Sequence, residues 1–385
     1  MMQKLDRPTL GLYLHIPFCR SKCLYCDFCS RPNRSENDHA AYTDALCRDL
    51  LKRAAACEGH TVDTVYIGGG TPTVLSPALL KKILDTVFAN YRVAPHAEIT
   101  VECNPVAESR EMFDTLFAAG ANRLSIGVQS AHADELSALG RLHSFSDFEQ
   151  TVKDARAAGF CNLSADVMFG IPRQTEESYP ETLRKVIALA PTHISAYGLI
   201  VEEGTPFEKM GDRLHLPDEE AVCRMYFAGI DLLAKAGYRQ YEISNFSRDG
   251  YRSRHNLKYW NCDEYLGFGP AAYSDFSGKR FGNSRDISAY VAGKDITEEI
   301  DVPSACDRKN EFVMLSMRLS DGIDCREYQR RFGSSFDTDF GQALSRYEKG
   351  GFVRKTEHGY AFTPEGMYVS NTILSDVLQF ESGNC

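Results

Sequence analysis

The 385-residue chain has no apolar run long enough to span a bilayer, and no apolar segment precedes Asp6. Neither a membrane-integral protein nor a secretory signal is expected. Positive charge is not in excess either: 43 Lys and Arg stand against 53 Asp and Glu, for a formal net charge of −10. Broad, sequence-independent nucleic-acid binding needs a basic face, so nucleic acid is not expected as a partner. The sequence has no internal repeat, no low-complexity tract and a single tryptophan. What remains is ordinary: 43% hydrophobic and 25% charged residues, enough chain for a large domain plus a smaller one. Cysteine is plentiful. Thirteen in a chain of this kind imply a reducing compartment, and the protein reads as cytoplasmic.

The first two-thirds alternates short β-type runs with longer amphipathic stretches. Strands are predicted at 11–16, 64–67, 98–102, 123–128, 162–168 and 193–199. Helices are predicted at 38–56, from an N-cap at Ser76 to 90, at 109–119, before Gly159, at 176–189 and at 218–236. This order predicts an α/β fold with a parallel sheet of right-handed βαβ units. Six units fall short of a closed eightfold barrel, so residues 1–237 are expected to form an open, partial (β/α)6 TIM-type barrel. Chemistry in such sheets sits at the C-terminal strand ends. Residues 238–303 read as an aromatic- and glycine-rich linking segment. From 304 to 385, helices at 307–319, 325–332 and 336–349 and a hairpin over 350–362 suggest a winged-helix-like α+β domain. Acids slightly outnumber bases there, which favours a structural or docking module over a DNA-binding one.

Three cysteines stand in one run, His15-Ile16-Pro17-Phe18-Cys19-Arg20-Ser21-Lys22-Cys23-Leu24-Tyr25-Cys26. With this spacing, three thiolates on one loop can hold three irons of a [4Fe–4S] cluster and leave the fourth iron open. A zinc site normally closes with four protein ligands, and a disulfide framework does not suit a chain of this size and compartment. Cys47, Cys57, Cys161, Cys223, Cys306 and Cys325 lie in helix- or strand-like contexts and read as small buried hydrophobes.

Other polar motifs follow predicted strands. Gly68-Gly69-Gly70-Thr71-Pro72-Thr73 ends the second, where a glycine run lets the backbone approach a ligand closely; alone, it is equally a tight turn. It lacks the Gly-Lys-Ser/Thr ending of a phosphate loop. Glu102 ends the third strand, Gln129 ends the fourth, and Asp166 lies in the fifth. Each could cap the next helix, but their common position favours one ligand pocket. Farther on, His255-Asn256-Leu257-Lys258-Tyr259-Trp260 joins an imidazole able to ligate haem iron to flat aromatic surface for a porphyrin. The alternative is that His255 and Asn256 hydrogen-bond a loop while Tyr259 and Trp260 pack in the core.

Taken in order, these pieces resemble the coproporphyrinogen-oxidase-like family of radical S-adenosylmethionine (SAM) proteins, over residues 10 to about 377. The resemblance implies that Cys19, Cys23 and Cys26 hold a [4Fe–4S] cluster whose open iron is chelated by SAM. It also implies SAM contacts from Tyr13, Tyr25, Gly69, Gly70, Thr71, Glu102, Gln129, Arg141 and Asp166, some of them serving a second SAM. Leu139-Gly140-Arg141-Leu142-His143 and Phe169-Gly170-Ile171-Pro172 match family motifs too, the latter as a turn.

Two departures set the chain apart from the oxidase of that family. The oxidase has a fourth cysteine two residues after the third. Here that position is Phe28, and Cys29, one place later, is expected not to be a ligand. The oxidase also has a long N-terminal extension at its substrate site, whereas eighteen residues precede Cys19 here. Both features, with the His-Asn-x-x-Tyr-Trp run, resemble the haem-chaperone branch. That branch implies haem as a further bound group, held by His255, Asn256, Tyr259 and Trp260. It also implies acceptor haemoproteins, such as membrane-associated respiratory enzymes, and a low-potential electron donor. The runner-up is an oxygen-independent coproporphyrinogen III oxidase, which decarboxylates propionate side chains. An enzyme that opens or methylates haem stands third.

Overall fold

The computed structural model describes residues 7–32, 34–105 and 110–378, and a twelve-stranded sheet organises most of them. Its centre is six strands: β1 (Thr9–Ile16), β2 (Thr61–Gly69), β3 (Val93–Cys103), β4 (Arg123–Gln129), β5 (Asn162–Phe169) and β6 (His193–Gly198). They lie side by side in chain order, all parallel. The crossovers contain α1 (Glu36–Ala54), α2 (Pro77–Asn90), α3 (Arg110–Ala118), α4 (Phe145–Ala158) and α5 (Ser178–Ala188), and α6 (Glu219–Lys235) follows β6. The six predicted βα units are all present.

Local chemistry sets the helix ends. Ser35 and Ser144 begin α1 and α4 with capping boxes closed by Asp38 and Asp147. Ser76 occupies the cap position of α2, but its side chain makes no capping bond. Pro77 starts that helix instead, with its φ already preset. The helical stretch expected before Gly159 is two helices, Ala133–Ala138 and α4. Ser109, the expected start of α3, lies outside the described residues.

The strands bury one face against helices through Val65, Ile67, Val101, Leu124, Ile126 and Val167. Alternate positions on the other face are polar: Thr64 and Tyr66, Glu98 and Glu102, Arg123 and Ser125, Ser164 and Asp166. Parallel strands covered on both faces ordinarily read as continuous apolar runs. Here a period-two polar pattern lines the inner face of the sheet.

Residues 238–303 supply six of the twelve strands. β7 (Arg239–Gln240) and β8 (Asn245–Ser247) extend the sheet antiparallel beyond β6. On the opposite flank, β9 (Tyr265–Phe268) pairs parallel with β1. β10 (Tyr273–Phe276), β11 (Lys279–Asn283) and β12 (Thr297–Asp301) continue antiparallel from it. The ladder therefore runs β12-β11-β10-β9-β1-β2-β3-β4-β5-β6-β8-β7. Helix α7 (Arg254–Trp260), between β8 and β9, carries the His-Asn-x-x-Tyr-Trp run.

The last part of the chain has its own core of Phe312, Tyr328, Phe336, Phe340, Leu344 and Phe362. Helices α8 (Ala305–Ser316), α9 (Cys325–Phe332) and α10 (Gln342–Lys349) accompany an antiparallel sheet of β13 (Ile323–Asp324), β14 (Val353–Lys355) and β15 (Gly359–Phe362), with β15 in the middle. The helix expected over 336–349 opens with a π-helical turn, Asp337–Gly341. Of the cysteines read as buried hydrophobes, Cys47, Cys57 and Cys306 are buried. Cys223 and Cys325 are only half-buried, and Cys161, in the turn between α4 and β5, is exposed. Among the described residues no helix is long and apolar enough to cross a membrane.

Candidate functional site

The loop that follows β1 has little secondary structure and is tied down from distant places. Leu24 donates its amide to the Leu139 carbonyl (3.1 Å) and accepts from the Phe207 amide (3.2 Å). The Arg285 guanidinium donates to the Asp27 carbonyl. Cys19, Cys23 and Cys26 are half-buried and line one cavity of about 380 Å³, within the size range of small-molecule sites. Cys29 does not line it. Its thiol lies 3.8 Å from the Arg285 carbonyl, and its own carbonyl lies 2.8 Å from His15 Nε2.

The glycine run at the end of β2 is more than a turn. Gly69 has φ +110°, and a Cβ there would lie 2.5 Å from the His15 ring. A Cβ on Gly70 would lie 2.4 Å from the Phe18 carbonyl and 3.0 Å from Cys19 Sγ. Only glycine lets β2 come this close to the thiol loop.

A hydrogen-bonded chain crosses the cavity wall. Arg141 donates to Gly127 O (2.6 Å), Asn104 Oδ1 (2.5 Å) and Cys23 Sγ (3.4 Å). Asn104 donates to Thr71 Oγ1 (2.7 Å), and Thr71 reaches Cys19 Sγ at 3.7 Å. Gln129 takes a left-handed φ of 62° at the end of β4, a conformation uncommon outside glycine, and lines the cavity.

The inner face of the sheet supplies the floor. Glu102 accepts from the Tyr66 hydroxyl (2.7 Å) and the Gly69 amide (3.2 Å). Burial pushes its carboxyl up to about 7, despite the tyrosine bond, which favours the ionised form. Asp166 is also raised by burial, against hydrogen bonds from Ser125, Ser164 and Ser195. Arg123, on the strand between theirs, is 1% exposed, and its Nε has no hydrogen-bond partner among the described residues.

The cavity therefore gathers Cys19, Cys23, Cys26, Tyr25, Gly69, Gly70, Thr71, Glu102, Gln129, Arg141 and Asp166. Of the His-Asn-x-x-Tyr-Trp residues, only Asn256 lines it. His255 is buried beneath, Tyr259 packs edge-on against Tyr265, and Trp260 lies under the Arg318 guanidinium, 4.8 Å from the ring centre. Tyr13 stands outside the lining, hydrogen-bonded to His15 Nδ1 at 3.0 Å. Sequence reasoning missed Tyr66, Arg123, Ser125, Ser195 and Tyr197. Most of these fall on the polar alternates of the parallel strands, and that alternation was the available signal.

Radical SAM proteins work with a [4Fe–4S] cluster and SAM, and these residues fit both. Among the described residues no three of His, Cys, Asp and Glu gather round a single point, as one ion requires. A cluster asks for something else, one thiolate at each of three irons, which three thiols spread over a cavity wall supply. Burial raises the Cys19 thiol and pushes Cys26 up to about 11, so both are protonated when alone. Coordination deprotonates a thiol outright. Carboxylates and a guanidinium border the same space, so a zwitterionic ligand finds both signs of charge.

Comparison with known proteins agrees with this geometry. Residues 13–186 match the radical SAM superfamily, and residues 304–369 match the HemN C-terminal domain. The heme chaperone HemW of Escherichia coli K12 is 36% identical, over 92% of this chain and 96% of its own. HemW of Bacillus subtilis is 34% identical, over 95% and 98%. The fold is that of the E. coli radical SAM enzyme coproporphyrinogen III oxidase (HemN), with a TM-score of 0.86 and 24% identity over 98% of this chain and 91% of that one. With such identity along nearly its whole length, the chain belongs to the HemW family of radical SAM proteins.

Proposed function

We propose that this protein is a haem chaperone, which binds haem and passes it to an acceptor haemoprotein. Respiratory enzymes, including membrane-associated ones, are the acceptor class we favour. The observation that carries the reading is the single cavity shared by the three thiols, the glycine run and two desolvated carboxylates, in a chain alike end to end to proteins named heme chaperone.

In this reading Cys19, Cys23 and Cys26 hold the cluster. Gly69, Gly70 and Thr71 present backbone to the methionine end of SAM, and Arg141 grips its carboxylate. Glu102 and Asp166 accept from its ammonium and ribose hydroxyls, with Gln129 and Tyr25 beside them. When bound, the cluster supplies one low-potential electron, drawn from an external donor, at an iron open to SAM. Haem sits at the mouth. Phe28, Leu142 and Tyr197 line the cavity yet are 67%, 66% and 40% exposed, and so offer an apolar rim to a flat macrocycle. Arg20 and Lys22, on the thiol loop, stand where propionates need cations.

The rival reading, a coproporphyrinogen III oxidase, draws on likeness of fold. One anaerobic experiment separates the two: reconstituted protein, reductant, SAM and coproporphyrinogen III, with porphyrins and 5′-deoxyadenosine measured together. The expected result is no decarboxylation, and in a parallel assay transfer of bound haem to an apo-haemoprotein. Protoporphyrinogen accumulating over many turnovers would establish the oxidase and sink the chaperone.

A further inference from the structure

Helix α7 lies under the cavity floor, and its His255, Lys258 and Tyr259 side chains are already engaged. His255 is 1% exposed. Its Nδ1 lies 2.8 Å from Thr64 Oγ1 and its Nε2 lies 2.9 Å from the Tyr259 hydroxyl. A neutral imidazole has one donor and one acceptor nitrogen, so both are used and no lone pair is left for an iron. Burial, with Lys258 and Arg123 nearby, pushes its pKa down to about 3, which keeps the ring neutral.

One face of that ring stacks on Tyr66, with centroids 5.2 Å apart and planes 28° from parallel. The Tyr66 hydroxyl is the one that donates to Glu102, whose other oxygen accepts from Gly69. The helix itself is fixed. Glu98 accepts from the amides of Arg254 and His255, at 3.1 Å each, and Lys258 pairs with Asp63 at 2.8 Å. A Cβ on Gly11 would lie 2.8 Å from the Lys258 side chain, so the β1 backbone packs directly on the helix. Tilting α7 to release His255 would break all of these contacts.

We infer that His255 is a positioning residue for the SAM pocket: it buttresses the Tyr66 ring and, through it, holds the Glu102 carboxylate in place beside Gly69. The inference rests on the reading that this cavity takes SAM. It gives the histidine of the His-Asn-x-x-Tyr-Trp run a task that needs no iron, and it leaves Asn256 as the member of the run that reaches the cavity.

The test uses the anaerobically reconstituted full-length protein and the variants His255→Ala, His255→Phe and Tyr66→Phe. Each is titrated with SAM by calorimetry and, separately, with haem by Soret absorbance. Phenylalanine restores a flat ring against Tyr66 but has no nitrogen for iron. His255→Ala is expected to weaken SAM binding about tenfold, the usual scale for residues that orient a ligand-binding group. His255→Phe recovers most of that loss. Tyr66→Phe weakens binding comparably, and the double variant His255→Ala/Tyr66→Phe is no worse than the poorer single, because both act through one carboxylate. Haem affinity and the Soret maximum stay at wild-type values throughout. Unchanged SAM affinity in His255→Ala or Tyr66→Phe overturns the inference, as does loss of haem binding in both His255 variants while SAM binding holds. If the His255 variants do not fold, Tyr66→Phe, which loses a single hydroxyl, decides alone. A wild-type protein that carries its cluster and binds no SAM overturns the pocket reading as well, a result distinct from variants that match a SAM-binding wild type.

Discussion

The loop bearing Cys19, Cys23 and Cys26 and the helix bearing His255 and Tyr259 both carry side chains of iron-binding type, yet the molecule treats them oppositely. The loop holds its thiols half-exposed at a cavity and is anchored through backbone groups of Leu24 and Asp27, while Cys19 and Cys23 accept only long bonds from Thr71 and Arg141. The helix buries its imidazole and uses both ring nitrogens internally. Residue type alone therefore does not mark a candidate ligand site; donor atoms that face a cavity mark it better. The loop presents its thiols to the cavity and the helix is held rigid, so loss of a loop thiol should act on cluster loading, whereas loosening the helix should act on stability and, through His255, on the SAM pocket.

The sharpest break of that contrast is replacement of Cys23 by Ala. Iron and sulfide content after anaerobic reconstitution is expected to fall to near zero, with SAM binding, while the melting curve of the cluster-free protein moves little. Cys29→Ala should load normally. Full loading without Cys23 would put the loop in the same class as the helix. On the helix side, Lys258→Ala removes one partner of a buried ion pair, which costs about 3–5 kcal/mol. Urea unfolding is the measurement, and a change below about 1 kcal/mol would mean that α7 is not the fixed element described.

Glu102 stands between the two regions and gives a pH test. Its native value of about 7 exceeds the 4.5 of an ordinary glutamate, because burial penalises the charge. Over that interval the native state keeps a proton that the unfolded state has lost. The linked stability is complete below about pH 4.5 and lost as pH rises through 7, by up to about 3 kcal/mol for the cluster-free protein. Denaturation midpoints from pH 5 to 8 should show this slope, and Glu102→Gln should remove it; equal slopes in both proteins would clear Glu102. The smallest effect is Ser253→Ala, which deletes the N-cap of α7 at about 1 kcal/mol and should leave cluster loading untouched.

The parallel centre of the sheet was legible because each of its strands is a β-type run followed by an amphipathic helix with its own start and stop signals. The flanks were not. β7 to β12 are two to five residues long and interspersed with glycine and charge, as in Lys279–Asn283, so no period emerges within any one of them. The thiol loop and glycine run could be singled out because their chemistry is local in sequence, and the fold brings both to one cavity. The surroundings of His255 could not, because its hydrogen-bond partner Thr64 lies 191 positions away and the ring stacked on it is Tyr66. Arg123 was hidden by habit: an arginine in a strand reads as facing solvent, and only its alternation with Ser125 and Gly127 gives its inward direction away.

The pairing of β9 with β1 has a consequence in time. β1 ends at Ile16, and the strand that covers its outer edge begins only at Tyr265. At about 5–20 residues per second, a ribosome takes on the order of tens of seconds to bridge that gap. Throughout that time an apolar strand destined for the interior of the sheet has one edge open, and open edges recruit strands from other chains. The nascent protein thus passes through a stage in which its earliest strand must be kept from strangers, and release from that hazard comes only when the last third of the chain arrives.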